Sequence, residues 1–302
     1  MKLQILGCYA ATPRTITNPT SQVLEMKNHL FLIDCGEGTQ VQLRKHKIKF
    51  SRINHIFISH LHGDHFYGLI GLISTFMLLN RENDLHVYGP KGIKEMMETI
   101  FRITETHQGF EVIFHELSSK KSEKVFEDNR VEVFTIPLDH RIYCNGYLFK
   151  EKPKERHLNM QEISKYPEIE ICDYHNLKRG KDIQLSDGYI LKNENLTKPA
   201  EPSVSYAFCS DTRYLESIIP IIKNVDVLYH ESTFLHDLKK MADYTGHTTA
   251  LEAAKIARKA NVKKLILGHF SNRYNDLSVF LNEACEIFPE TYLPKQLEAV
   301  KI

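Results

Sequence analysis

A chain of 302 residues with 42% hydrophobic and 25% charged side chains has the composition of a folded globular protein, long enough to bury a sizeable core without covalent staples. Its six cysteines are scattered with no Cys-x-x-Cys pair, which argues against a secreted disulfide framework and against a thiolate zinc knuckle. A formal net charge of +1 neither demands nor excludes a polyanionic partner, because gripping one takes local rather than total positive charge.

The opening residues Met1 to Cys8 read as a short strand, with neither the apolar run nor the small-residue cleavage site of a secretion signal. Further strands are predicted over Gln22 to Met26 and Leu30 to Asp34, then a helix over Gly36 to His46 and a strand over Ile53 to Ser59. Helical length and periodicity mark Phe66 to Asn80 and Ile93 to Ile103. The longest apolar stretch, Phe66 to Leu79, is interrupted by Ser74 and Thr75 and is too short to span a bilayer. The expectation is a cytoplasmic protein without membrane contact. Strands follow at Phe110 to Leu117, Glu123 to Glu127 and Val131 to Leu138.

From about Lys150 to Pro202 the character changes. This segment is dense in charge, poor in apolar periodicity and broken by Pro153, Pro167, Gly180, Gly188, Pro199 and Pro202. Loops of this length are uncommon in compact domains unless they act as lids or arms, and a solvated, partly disordered insertion is the competing reading. The α/β theme then resumes: strands at Val204 to Ser210, Val225 to Tyr229 and Lys264 to Leu267, helices at Leu215 to Ile222, Thr248 to Ala260 and Leu277 to Ile287. Two similar halves of this kind predict two sheets packed face to face with helices outside.

The chemistry concentrates at His60-Leu-His62-Gly-Asp64-His65, between a strand and a helix. A lone histidine is usually a packed or exposed residue, but three histidines and an aspartate within six positions point to metal binding. His60 and His62 are placed to reach one ion, Asp64 and His65 a second, and Gly63 removes bulk from the tight turn. Three more polar residues stand at the tips of apolar strands: His140 after Phe134, Ile136 and Leu138, Asp211 after Tyr206 to Ser210, and His269 after Leu265 to Gly268. Imidazole and carboxylate donors without thiolate suit zinc, with manganese or iron as alternatives. Two such ions can activate water and neutralise a phosphoryl oxygen, and Asp211, with two oxygens, is the natural bridge.

The His-x-His-x-Asp-His string with distant His, Asp and His resembles the metallo-β-lactamase superfamily. Over nearly the whole chain the sequence is similar to the ribonuclease Z family within it. The carrying segments are Phe31 to Gln40, Ile56 to His65, His230-Glu-Ser-Thr233, Gly246-His-Thr-Thr-Ala250 and His269-Phe-Ser-Asn-Arg-Tyr274. The resemblance implies a single α/β domain over 1–302, an αβ/βα four-layer sandwich, with a flexible inserted arm at 150–202 that binds tRNA. It implies one zinc on His60, His62 and His140, a second on Asp64, His65 and His269, and Asp211 between them. It further implies Asp64 as general base, His247 as proton donor near the leaving 3′ oxygen and Glu231 as orienter of a catalytic histidine. Lys152, Lys154, Arg156, Lys178, Arg179 and Lys181 of the arm, with Arg273, are the candidate RNA contacts. The implied reaction is cleavage of precursor tRNA after the discriminator base by a homodimer. The alternative is a binuclear small-ester hydrolase of arylsulfatase or cyclic-nucleotide phosphodiesterase type. Two strings depart from the family: Pro13-Arg-Thr-Ile-Thr-Asn18 lacks both basic positions of the usual Pro-x-Lys/Arg-x-Arg-Asn, and Lys178-Arg-Gly-Lys181 stands where the arm usually has Gly-Pro.

Overall fold

The computed structural model describes residues 1–12, 14–15, 17–106, 109–294 and 300–301, so Pro13 of the N-terminal loop lies outside the described residues. The chain divides into a unit made of residues 1–151 and 204–302 and a smaller unit of residues 152–203.

In the larger unit, apolar alternation in the first third gives β1 (Lys2–Gly7), β2 (Ser21–Met26) and β3 (His29–Cys35), paired antiparallel. There follow α1 (Thr39–Lys45), β4 (Ile53–Phe57), α2 (Gly63–Phe66), α3 (Gly68–Leu78), β5 (Leu85–Pro90), α4 (Ile93–Ile103) and β6 (Val112–Leu117). Strands β3 to β6 are mutually parallel, each reached by a helical crossover. Next come β7 (Lys124–Glu127), β8 (Val131–Leu138) and β9 (Cys144–Glu151), again antiparallel.

Residues 152–203 carry β10 (His157–Leu158), α5 (Met160–Ile163), α6 (Tyr174–Lys178), β11 (Ile183–Gln184), β12 (Ile190–Leu191), α7 (Asn193–Leu196) and β13 (Thr197–Lys198). Ile163, Ile169, Leu177, Leu191 and Leu196 are buried together as a small core of this segment. It is therefore an ordered unit rather than a solvated loop. Its apolar residues are spread over short turns and two-residue strands, so no periodic run announces them.

The remainder of the larger unit is β14 (Ser205–Cys209), β15 (Val227–Glu231), α8 (Lys239–Thr245), α9 (Ala250–Lys259), β16 (Lys264–Gly268), α10 (Ser278–Cys285), β17 (Thr291–Tyr292) and β18 (Val300–Lys301). A helix over Leu215 to Ile222 does not form. Only the 3-10 turn Glu216–Ile218 is present, because Pro220 offers no N–H to continue it.

One seven-stranded sheet runs β18-β1-β2-β3-β4-β5-β6 and the other β17-β16-β15-β14-β9-β8-β7. They meet through aromatic contacts: Phe31 on Phe149 at 5.2 Å between centroids, and Phe57 on Tyr147 at 5.1 Å. Each such fully buried ring contributes roughly 1.5–3 kcal/mol on leaving water. Leu69, Leu72, Ile73 and Phe76 of α3 cover the outer face of the first sheet with Leu32 and Ile56. Ala250, Ala253, Ala254 and Ala257 let α9 lie close against the strands of the second. The result is the αβ/βα sandwich, with helices outside two facing sheets. Strands β4, β14, β15 and β16 run in parallel sets, and their carboxyl ends present polar residues at one edge, where ligands of α/β folds gather. No described helix is long and apolar enough to cross a membrane.

Candidate metal centre

Most of the functional side chains stand at or just beyond the end of a buried strand, while Asp64 and His65 lie in α2 and His247 lies between α8 and α9. Beyond β4, Ile58 and Ser59 are buried, and the chain turns through His60 to Asp64 into α2. Gly63 lets this turn close: a Cβ there would sit 2.4 Å from the Tyr67 ring. His140 follows β8, Asp211 follows β14, Glu231 ends β15 and His269 follows β16. His269 adopts a left-handed backbone (φ 59°), a conformation rare for a side chain this large, which turns its ring back towards the strand ends.

The donors fall into two sets. In the first, His60 Nε2 lies 3.0 Å from His62 Nδ1, and His140 Nε2 lies 3.2 Å from the same atom. Asp211 Oδ2 approaches His60 Nε2 at 3.6 Å and His140 Nε2 at 3.9 Å. In the second, His65 Nε2 and His269 Nε2 are 3.2 Å apart, with Asp64 Oδ2 at 3.5 and 3.4 Å from them. Asp211 Oδ1 completes this set at 3.4 Å from His65 and 3.3 Å from His269. Two imidazole nitrogens bound tetrahedrally to one zinc at about 2.0–2.1 Å stand roughly 3.3 Å apart, so both spacings fit a shared cation. Asp211 Oδ1 is buried and has no hydrogen-bond partner among the described residues, an orphan acceptor aimed into the cage. Donor atoms of His60, His62, His140 and Asp211 lie within 4.8 Å of one another, as do those of Asp64, His65 and His269.

The other ring nitrogen of each Nε2 donor is tied down, which fixes the tautomer and leaves the Nε2 lone pair facing the cage. His65 Nδ1–H donates to Asp34 Oδ2 at 2.7 Å, and His140 Nδ1–H to the Gly246 carbonyl at 2.7 Å. His60 Nδ1 faces the Ser59 hydroxyl at 3.0 Å. His269 Nδ1–H donates to Thr233 Oγ1 at 2.8 Å, whose hydroxyl donates in turn to Glu231 Oε2 at 2.8 Å. Glu231 is fully buried and is a hub: it also accepts from the backbone of Thr212, Thr233 and Thr248 and from His247 Nδ1–H at 3.1 Å. Ala11 N–H donates to Asp64 Oδ2 at 2.7 Å, so the N-terminal loop braces the metal turn.

Electrostatics agree with a cation site. Burial opposes ionisation of Asp211, but His269, His65, His60 and His247 together hold its carboxyl well below the usual range. Burial likewise works against charge on His65, yet Asp211, Asp64 and Asp34 lift its pKa to about 10. Three carboxylates that favour positive charge at His65 would equally favour a metal cation there. His60 and His140 are pushed down, chiefly by burial, and are neutral donors. Burial would lower His247, but Glu231 beside it lifts the pKa to about 9.

The structure thus brings His60, His62, Asp64, His65, His140, Asp211 and His269 into one cage, with His247 and Glu231 against it. His247 and His269 rings stack at 5.3 Å. Arg273 lies apart from the donors, its guanidinium over the Phe234 ring and its Nε–H donating to the Ser271 hydroxyl at 3.3 Å. The arm cations belong to the smaller unit. Arg156 N–H donates to the Lys178 carbonyl at 2.9 Å, so the basic run ending at Arg156 meets the one formed by Lys178, Arg179 and Lys181. Lys154 pairs with Glu201 at 3.2 Å, and Lys152 lies in the same unit.

Asp34, Ser59 and Thr233 escaped the sequence reading. Asp34 is fully buried and accepts from His65 and from both the backbone and hydroxyl of Ser59. Its signal was the one that exposed Asp211: a lone acid at the tip of an apolar strand, Leu32-Ile33-Asp34.

A family model described as "Anti-Pycsar protein Apyc1" matches residues 1–284. A protein named ribonuclease Z from Bacteroides thetaiotaomicron is 46% identical over 301 residues, covering 100% of this chain and 95% of its own length. One of the same name from Parabacteroides distasonis is 46% identical, covering 97% of this chain and 96% of its own. Among solved structures, the short form of human tRNase Z superposes with a TM-score of 0.73 at 25% identity, over 100% of this chain and 99% of that one. The chain belongs to the family described as anti-Pycsar protein Apyc1 and, with its curated relatives, to the ribonuclease Z family of the metallo-β-lactamase fold.

Proposed function

We propose that this protein is a metal-dependent endoribonuclease that cuts precursor tRNA just 3′ of the discriminator base. It leaves a 3′-hydroxyl on the tRNA and a 5′-phosphate on the trailer. The observation that carries the reading is Asp211, whose two oxygens each face a separate set of imidazole donors. Two zinc ions per chain are proposed, one held by His60, His62 and His140, the other by Asp64, His65 and His269, with Asp211 shared. Bound there, such ions would polarise the scissile phosphate and make water a better nucleophile at neutral pH.

The residues divide the remaining work. Asp64, fixed by the Ala11 N–H on its Oδ2, takes the proton of the attacking water. His247 has Nδ1 committed to Glu231, which leaves Nε2 to protonate the departing 3′ oxygen, and the carboxylate behind it keeps that proton available. Glu231 orients His247 directly and His269 through Thr233. The unit of residues 152–203 is read as the tRNA-binding arm, with its clustered cations on RNA phosphates, and the protein as a cytoplasmic homodimer, in keeping with the family resemblance.

The test incubates metal-loaded protein with an end-labelled precursor and maps the cut. Cleavage after the discriminator base is expected. Inert RNA alongside turnover of bis(p-nitrophenyl) phosphate would replace the nuclease with a small-ester hydrolase.

A further inference from the structure

Beside the catalytic cleft lies a second one that the chemistry above does not use. The catalytic cleft, about 430 Å³, is lined by His62, Asp64, Asp211, His247 and His269 and bounded by Arg141. The second, about 500 Å³, is built on the loop between β8 and β9, with His140, Arg141, Ile142 and Tyr143 on one wall and Lys120 on another. Arg141 lines both, and His140 turns its Nε2 to the metal cage while lining the second cleft.

Charge and rigidity indicate what the second cleft takes. Arg141 and Lys120 are exposed, and neither has a hydrogen bond or ion pair among the described residues. The acid in the same wall, Asp139, is paired with Arg213 at 3.4 Å, so the cations are not neutralised from within the cleft. The wall is preformed: Asn145 Nδ2–H donates to the Tyr143 hydroxyl at 2.7 Å, which donates to the Ser119 carbonyl at 3.0 Å. Ile142, 40% exposed, adds apolar surface beside the cations. Unpaired cations next to apolar surface, in a cleft that shares Arg141 with the proposed catalytic cleft, are the makings of a single-strand track.

We infer that this second cleft carries the stretch of RNA strand next to the scissile phosphate, with Arg141 and Lys120 on its backbone phosphates. The inference rests on the nuclease reading. The strand is either the trailer or the unpaired acceptor end; the two share one chemistry, and trailer length separates them.

The experiment compares wild type with Lys120→Ala, Arg141→Gln and the double variant. Substrates are precursors with a one-nucleotide or a six-nucleotide trailer, and bis(p-nitrophenyl) phosphate. The ratio of kcat/KM on RNA to that on the diester should fall about tenfold per variant, mainly through KM. The salt dependence of RNA turnover should become shallower by about 0.7 in log–log slope for each contact removed. An effect confined to the longer trailer assigns the cleft to the trailer, and an equal effect on both assigns it to the acceptor end. Either result upholds the inference. A double variant with unchanged ratio and slope, against a wild type that cleaves RNA, overturns it alone. A wild type that turns over only the diester overturns the nuclease reading and the inference together.

Discussion

Replacing Glu231 by glutamine tests the organisation of the centre without touching a proposed metal ligand. In the native pocket all five partners donate: Thr212 N–H at 3.1 Å, Thr248 N–H at 2.9 Å and His247 Nδ1–H at 3.1 Å to Oε1, and Thr233 N–H at 2.9 Å and its hydroxyl at 2.8 Å to Oε2. Glutamine satisfies the more crowded side by keeping its carbonyl at the Oε1 position, which points its NH2 at the Thr233 N–H. A buried donor left facing a donor costs about 1–3 kcal/mol, so a lower melting temperature is expected. The larger effect is on His247. Glu231 leads the forces that hold its pKa at about 9 against burial, and without that charge it returns towards 6.5. The sign follows: His247 loses its proton at lower pH in the variant. At about pH 8 the protonated fraction falls from roughly 0.9 to roughly 0.03, about thirtyfold in a step that needs it. The quantity to measure is the ratio of the kcat profiles of the two proteins, loaded with the same metal, from about pH 6 to about pH 9.5 on a labelled precursor. A variant with kcat within about threefold of wild type and an unshifted alkaline limb would refute both the donor role of His247 and the orienting role of Glu231.

Three further outcomes are expected. Asp34→Asn keeps a residue type that tolerates the left-handed backbone at this position (φ 54°) but exchanges the charged acceptor of His65; metal affinity should fall about 10–100-fold, read by competitive titration against a chromogenic chelator. Asp211→Ala should abolish turnover by at least about a thousandfold and leave fewer metal equivalents per chain by elemental analysis; full metal content with lost activity would contradict its shared role. His55 is pushed down to about 3 by burial, then by His86, His29 and His115, so it stays neutral in the fold while the unfolded chain takes up a proton near 6.5. Stability from this residue is therefore present above about pH 6.5 and lost as pH falls, by about 1.4 kcal/mol at pH 5.5. His55→Phe, which keeps the ring packing against Phe126, should flatten that part of the acid limb in urea titrations compared at neutral and mildly acid pH.

The sequence made the catalytic edge legible because His60, His140, Asp211 and His269 each sit where an apolar strand runs out, and that pattern needs no knowledge of which strands neighbour each other. Of the described strands longer than two residues, β5 and β9 were not predicted. In β9, Asn145 and Gly146 look like a turn, yet the strand is buried between β8 and β14. Gly146 is required there because a Cβ would sit 2.2 Å from the Phe208 carbonyl, a tertiary demand with no local trace. In β5, the closing Gly89-Pro90 likewise reads as a breaker, although both residues pair with β6. Nothing local marks Glu231 as a hub, because its five donor groups lie on three separate loops. Such convergence is visible only once the strands are parallel neighbours.

The cage straddles two sheets, and among the described residues no strand of one sheet is laddered to a strand of the other. The histidine-rich loop of residues 60–65 belongs to the earlier sheet, while Asp211 and His269 come from the later one. A nascent chain that has emerged only as far as α4 already displays that loop, but it holds no closed cation cage. Nuclease competence would then arise late in synthesis, when the last third docks, and unfinished chains on the ribosome would be harmless to the RNA around them.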